Sequence, residues 1–180
     1  MSCFILIPGA GTDSRYWHLL VTELGDRGHD AVAVDLPSED DAAGLNEYAD
    51  AVVEAIGGRN RPILVAHSFG GFTAPLVCAR VPGSTLVFLT AMIPAPGEPP
   101  GEWWANTGYP ESAGSDGDVW YHDVAPELAA EAARWELDQS DTPMLAPWPL
   151  AALPDVPTHF LLCTDDRFFP APYIDRKSVV

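Results

Sequence analysis

The chain of 180 residues is long enough for one domain with a buried core, and its 47% hydrophobic and 19% charged residues are typical of a globular protein. Its 26 acidic and 9 basic side chains give a formal net charge of −17, which argues against binding to nucleic acids or to anionic membranes. Cys3, Cys78 and Cys163 are far apart and lie in apolar segments, so we expect buried free thiols rather than a metal site or disulfides.

The first predicted strand is the apolar run from Cys3 to Ile7, which ends at Pro8 and a "GAG" turn. A continuous apolar run of this length suits a strand that is buried on both faces of a parallel sheet. The run is too short for a secretion signal or a membrane span, and no basic leader precedes it. The expected location is therefore the cytoplasm.

Strand and helix signals then alternate along the first half of the chain. Helices are predicted in "DSRYWHLLVTELGDRGH", "GLNEYADAVVEAIGG" and "FGGFTAPLVCARV". Further strands are predicted in "DAVAVDLP", "RPILVAHS" and "STLVFLTAM". We expect Pro75 to interrupt the third helix. Because strands that alternate with amphipathic helices favour βαβ crossovers, the predicted fold class is α/β, with a mostly parallel, doubly wound sheet.

The segment from residue 95 to residue 154 differs from the residues around it. It is rich in proline and glycine, and its one clear helix signal is "APELAAEAARWELDQS". It contains five of the six tryptophans: Trp103, Trp104, Trp120, Trp135 and Trp148. We interpret it as a helical cap inserted between two parts of the core, residues 1–94 and 155–174. Such insertions commonly cover an apolar ligand site; the alternative is that the tryptophans only pack the cap onto the sheet.

Ser68 lies in "ILVAHSFGGF", where a predicted strand runs directly into a predicted helix. The stretch has the small-x-Ser-x-Gly pattern of a nucleophile elbow, with Ala66 in place of the usual first glycine. Small residues are needed there because the serine takes a strained conformation between a packed strand and a packed helix. The following helix dipole favours developing negative charge. We interpret Ser68 as a nucleophile; the alternative is a helix-capping serine.

Backbone N–H groups from two loops are candidates for binding an oxyanion. One belongs to Phe69, directly after the serine, and the other should come from the loop "PGAGTDSRYW" after the first strand. Gly9 and Gly11 allow the backbone to approach a ligand closely, and Ala10 is the predicted donor. The alternative is that these glycines only shape a tight turn.

These motifs resemble those of the α/β-hydrolase fold enzymes, and within them the small-capped branch that includes plant methyl-ester esterases and hydroxynitrile lyases. The resemblance rests on "LIPGAG" and the tryptophan after it, "AHSFGG", the helical cap and "LLCTDDRFFP", and it extends to about Tyr173. Pro8 stands where the family usually has a histidine that is not part of its triad. The resemblance implies a small-molecule substrate, with no cofactor and no metal.

The resemblance also implies which carboxylate is the catalytic acid. In the family the acid follows the penultimate strand and commonly precedes a proline by four residues, as Asp166 precedes Pro170. Asp165 is the alternative, although we interpret it as a turn residue. Asp35, at the end of the second strand, is implied to be a structural turn residue.

No histidine fits the catalytic base. The five histidines are His18, His29, His67, His122 and His159. The first two lie on or after the first helix, the third adjoins Ser68 in a turn that directs neighbouring side chains apart, and the last is inside a strand. His122 belongs to the predicted cap. In this fold the histidine follows the acid by several tens of residues, so we expect the base to be missing from the sequence.

The last six residues, 175–180, read "DRKSVV" and bear no relation to the helix expected after "FFPAPYI". Translation of a common sequencing-adapter run yields the same six residues. We therefore expect a non-native tail, with the final strand and helix of the fold missing. A natural truncation to a pseudoenzyme is the alternative.

The predicted function is a cofactor-free serine hydrolase of the esterase kind, acting on a small apolar ester, thioester or lactone through an acyl-enzyme on Ser68. Substrate contacts are expected from Gly11, His67, Trp104 and His122; the alternative for His122 is a structural role in the cap. Without the triad histidine, the 180 residues should be nearly inert. The alternatives are a hydroxynitrile-lyase-like carbon–carbon lyase and a non-catalytic ligand-binding pseudoenzyme. The sequence does not decide the oligomeric state, and a homodimer is compatible with it.

Overall fold

A five-stranded parallel sheet organises the chain. The computed structural model describes residues 1–109 and 119–177. Within them the strands are β1 (Cys3–Ile7), β2 (Asp30–Ala33), β3 (Ile63–His67), β4 (Thr85–Leu89) and β5 (Thr158–Leu161). Their spatial order is β2-β1-β3-β4-β5, and every neighbouring pair is parallel. The predicted α/β class is confirmed.

Helices lie on both faces of this sheet. The helices of the described residues are α1 (His18–Asp26), α2 (Leu45–Ile56), α3 (Gly70–Cys78), α4 (Trp103–Thr107), α5 (Pro126–Ala132), α6 (Thr142–Leu145) and α7 (Ala171–Lys177). Successive residues of β1 point to opposite faces: Leu6 packs in one apolar cluster with Trp17, whereas Ile5 and Ile7 pack in the larger cluster with α2 and α3. The sheet is therefore doubly wound, as its continuous apolar strands predicted.

The expectation that Pro75 interrupts the third helix is wrong. Helix α3 runs from Gly70 to Cys78 with Pro75 inside it, and all nine of its residues are buried. A proline inside a helix costs about 3 kcal/mol or more because it lacks an N–H and crowds the preceding turn. Burial of the whole helix against β3 and α2 outweighs that local cost.

The cap helix predicted up to residue 140 is shorter than expected. Helix α5 ends at Ala132, a single 3₁₀ turn covers Ala133–Trp135, and the backbone of Glu136 is extended. The following residues bond to the core instead of continuing the helix: the Leu137 N–H donates to the Gly11 carbonyl at 2.9 Å. Tertiary hydrogen bonds thus override local helix propensity.

Strand β5 is an edge strand with exposed side chains. Leu161 is 53% exposed, and three of the four β5 residues are exposed. Cys163, just past the end of this strand, is exposed as well, and Cys3 is half-buried. Of the three thiols expected to be buried, only that of Cys78 is.

Part of two predicted segments lies outside the described residues, namely 110–118 of the cap and 178–180 of the tail. Residues 175–177 of that tail belong to α7. Across the described parts of the chain, we find no helix that combines the length and the apolarity needed to cross a membrane.

Candidate active site

Ser68 occupies a strained turn between β3 and α3. Strand β3 ends at His67, and helix α3 begins at Gly70. Between them Ser68 has a φ of 50°, in the left-handed region that residues other than glycine rarely adopt. This is the backbone conformation that the "AHSFGG" pattern predicts. The turn leaves the Ser68 hydroxyl without a hydrogen bond to any other described residue.

Two glycines allow the helix to start so close to the strands. A β-carbon on Gly70 would lie 2.7 Å from the Pro8 carbonyl oxygen, and one on Gly71 would lie 2.0 Å from the Met92 carbonyl oxygen. Both distances are far below van der Waals contact. The Met92 N–H donates in turn to the Ser68 carbonyl at 3.0 Å. The ends of β1 and β4 therefore position the serine turn from both sides.

The loop after β1 lies directly against the serine. A β-carbon on Gly9 would lie 3.0 Å from Ser68 Cβ and 3.5 Å from Ser68 Oγ. The next residue, Ala10, lines the same cavity as Ser68 and Phe69. The N–H groups of Ala10 and Phe69 donate no hydrogen bond to another described residue. Both predicted oxyanion donors are thus unoccupied by other parts of the described chain.

Gly11 has a structural role in this loop beside its predicted contact with substrate. Its φ is 67°, its carbonyl accepts from Leu137 N–H at 2.9 Å, and its own N–H donates to Gln139 Oε1 at 3.3 Å. Gly11 also lines the cavity. The loop is therefore tied to the segment that follows α5.

The Asp166 carboxylate is held by three hydrogen bonds. Its Oδ1 accepts from the N–H groups of Phe168 and Phe169 at 2.9 Å and 2.7 Å. Its Oδ2 accepts from the Thr90 hydroxyl at 2.8 Å. An ionised carboxylate has about four lone-pair positions, so one position is left for a further donor.

His67 lies beside the serine with its ring half-buried among aromatic side chains. The ring stacks on Tyr16, with centroids 5.2 Å apart, and meets Trp17 edge-on at 6.1 Å. Its Nδ1 is buried and has no hydrogen-bond partner among the described residues. Burial lowers the pKa of His67 to about 4, although the negative charge of Asp166 acts in the opposite direction. The imidazole is therefore neutral at physiological pH, and it lines the same cavity as Ser68.

The other four histidines form no hydrogen bond with Ser68 or Asp166. His18 Nδ1 lies 2.9 Å from the Arg15 carbonyl, His29 accepts from the N–H of Ser2, and His159 is exposed on β5. His122 Nε2 lies 3.6 Å from Asp165 Oδ2. His122 is not among the described residues that line the cavity, whereas its neighbour Tyr121 is.

A cavity of about 410 Å³ opens beside Ser68, within the range of small-molecule sites. Trp104 and Trp120 line it. Trp103 and Trp148 are instead fully buried, and their ring N–H groups donate to backbone carbonyls of Ile93 and Phe72. Two of the cap tryptophans therefore line the cavity, and two others pack the cap against the core.

The sequence matches a known protein family over nearly its whole length. The model of the "Alpha/beta hydrolase family" matches residues 4–179. The chain belongs to this family. The fold and motif resemblance stated from the sequence is confirmed.

Curated relatives of this chain include plant esterases. The chain is 34% identical over 108 residues to "Probable esterase PIR7A" of Oryza sativa subsp. indica, covering 53% of this chain and 41% of that protein. It is 33% identical over 109 residues to "Norfluorocurarine synthase 1" of Strychnos sp, covering 54% of this chain and 41% of that protein. The matched region thus spans about two fifths of the length of these relatives.

Solved structures show the same fold. Polyneuridine aldehyde esterase superposes with a TM-score of 0.78 at 20% identity, covering 98% of this chain and 85% of that one. An extracellular α/β-hydrolase from a Paenibacillus species gives a TM-score of 0.78 at 21% identity, covering 96% and 82%. At this level of identity the likeness establishes the architecture alone.

Several residues of the candidate site were not predicted from the sequence. Thr90 follows the last residue of β4, and this position at the carboxyl end of a parallel strand is the one signal that could have identified it. Tyr16, Glu136 and Phe168 also line the cavity. They come from three distant segments and carry no motif, so only the tertiary structure brings them together.

The half-buried imidazole of His67 predicts a loss of stability in mild acid. The unfolded chain takes up a proton with a pKa of about 6.5, whereas the folded chain does so at about 4. Between these values the unfolded state binds more protons, so the free energy of unfolding falls as the pH falls. Because the ring is partly accessible, we expect a loss of about 1–2 kcal/mol between pH 7.5 and pH 5.

Urea unfolding at the two pH values measures this loss. His67→Gln is expected to remove it, whereas His159→Gln, at an exposed position on β5, is expected to retain it. An equal loss in all three proteins would show that His67 is not the group responsible.

Proposed function

We propose that the chain carries the nucleophile, the oxyanion-binding groups and the substrate cavity of a serine ester hydrolase. The observation that carries the proposal is the left-handed backbone of Ser68, with a φ of 50° beside the cavity. Strained conformations of this kind persist where the surrounding structure enforces them, and they cluster at functional sites. Family membership and the esterase names of several relatives support an ester as the substrate.

In the proposed reaction, the Ser68 hydroxyl attacks the ester carbonyl carbon and gives its proton to a base. The N–H groups of Ala10 and Phe69 donate to the oxyanion that forms, and losing one such donor typically costs about 10²–10³ in turnover. Collapse of the tetrahedral intermediate expels the alcohol, which takes up the proton. The acyl group is left on Oγ, and water then releases it as the acid.

The base is the group that the described site does not supply. Neither the Ser68 hydroxyl nor the Asp166 carboxylate is hydrogen-bonded to a histidine among the described residues. Asp166 retains one lone-pair position, which suits the N–H of an imidazole held between the carboxylate and the serine. We therefore assign to Asp166 the orientation of a base that the described residues do not include.

The missing base also supports a second candidate function, a ligand-binding protein without catalysis. The cavity is formed and the strained serine turn is intact in either case. The two candidates differ in whether Ser68 reacts.

A fluorophosphonate probe tests whether Ser68 reacts. We expect the probe to phosphonylate Ser68, slowly because no histidine is bonded to the hydroxyl, with the adduct located by peptide mass mapping. Ser68→Ala should abolish the adduct. Ser84→Ala, which changes a buried serine just before β4, should leave it unchanged. Labelling that persists in Ser68→Ala places the nucleophile elsewhere, and no labelling after prolonged incubation favours the binding protein.

A further inference from the structure

Aromatic rings form much of the cavity wall. Six aromatic residues line it beside His67: Tyr16, Phe69, Trp104, Trp120, Tyr121 and Phe168. The Phe168 ring lies 4.1 Å from that of Trp120 and 5.7 Å from that of Trp104, measured between centroids. The faces of indole and phenol rings carry negative electrostatic potential and attract cations within about 6 Å. Such a wall suits a cationic group as well as an apolar one.

The charged groups around the cavity favour the binding of a cationic group over that of an apolar one. Glu136 lines the cavity and is exposed, and its carboxylate pairs with no basic group of the described chain. The described residues that line the cavity include no lysine or arginine. Arg15 lies nearby, with its guanidinium 5.9 Å from the ring of Trp135. Its guanidinium forms a salt bridge with Asp13, donating two N–H groups to the carboxylate.

The net charge of the molecule acts in the same direction as the carboxylate of Glu136. The chain as a whole has a net charge of −17. A cation approaching the cavity is therefore attracted by the whole molecule, and it then meets one unpaired carboxylate and several aromatic faces.

We infer that this cavity selects esters that carry an ammonium group, protonated or quaternary, in the portion held by the aromatic wall and Glu136. The inference rests on the proposed ester hydrolase function and specifies its substrate class. An aromatic wall alone fits any apolar ester. The unpaired carboxylate, together with the absence of basic side chains from the described lining, distinguishes the cationic ester from a neutral one of the same shape.

Two ligands of matched shape test this selectivity. Acetylcholine and 3,3-dimethylbutyl acetate differ in having a quaternary nitrogen or a carbon at the same position. Their dissociation constants for the 180-residue protein can be measured by isothermal titration calorimetry in low-salt buffer at pH 7.5. We expect acetylcholine to bind about tenfold more tightly, the size of effect that a cation on aromatic faces produces together with a partly exposed carboxylate.

Variants separate the carboxylate from the rings. Glu136→Gln is expected to weaken acetylcholine binding several-fold and to leave the neutral ester unchanged. Glu54→Gln makes the same change of net charge on the exposed surface of α2, and it should affect neither ligand. Trp104→Leu should weaken the binding of acetylcholine more than the binding of 3,3-dimethylbutyl acetate.

The outcomes are independent of catalysis because binding alone is measured. Ser68→Ala is expected to keep the tenfold preference, so a failure of Ser68 to react leaves this inference standing. Equal binding of the two esters, tighter binding of the neutral one, or binding of neither at millimolar concentration overturns it.

Discussion

Replacing Gly71 with alanine is expected to destabilise the protein by at least about 3 kcal/mol. The added β-carbon would lie 2.0 Å from the Met92 carbonyl oxygen, so the backbone of α3 or of the segment after β4 must move by more than 1 Å. Either movement strains the hydrogen bond from the Met92 N–H to the Ser68 carbonyl. Because a domain of this size is stable by only about 5–15 kcal/mol, much of its stability would be lost.

Gly25→Ala is the matched control for this substitution. Gly25 also lies in a helix, α1, but a β-carbon there would meet nothing within 4 Å. Alanine at an exposed helical position stabilises by up to about 1 kcal/mol relative to glycine. Urea unfolding of the two variants should therefore give changes of opposite sign. A Gly71→Ala protein as stable as the wild type would show that the serine turn is not packed as described.

Much of the fold could be predicted because the central strands β1 and β3 are almost entirely apolar. Buried parallel strands such as β1 and β3 need no alternation, and the glycines and small residues after them mark where each strand ends. The exceptions arise where tertiary contacts outweigh local preference. Burial of α3 tolerates Pro75, and the hydrogen bond from Leu137 to Gly11 ends the cap helix early. No local sequence pattern predicts either contact.

The backbone of the candidate site could be predicted where a motif determines it. The "AHSFGG" pattern predicted a strained conformation for Ser68, and its φ of 50° lies in the left-handed region. The partners of Asp166 could not be predicted in this way, since Thr90 lies 76 residues away in sequence. The division of the tryptophans into buried Trp103 and cavity-lining Trp104 depends on the face of α4 that packs against the core.

Free imidazole is expected to raise the esterase rate of the 180-residue protein strongly. In the proposed account, the serine, the oxyanion donors and Asp166 are in place, and only the base is absent from the described site. Serine hydrolases that lack one triad member keep only about 10³–10⁴-fold acceleration over water, from the oxyanion hole and binding. A small base that enters the cavity restores the missing proton transfer, and general bases typically contribute about 10²–10⁴-fold.

The most direct test of the account is the Ser68-dependent rate of p-nitrophenyl acetate hydrolysis as a function of imidazole concentration at pH 7.5. The Ser68→Ala protein provides the blank, because imidazole itself cleaves this ester in solution. We predict a Ser68-dependent rate close to zero without imidazole and a rise of at least about tenfold with it. Turnover of about 1 s⁻¹ or more without imidazole, unchanged when it is added, would contradict the account by showing that the chain contains its own base.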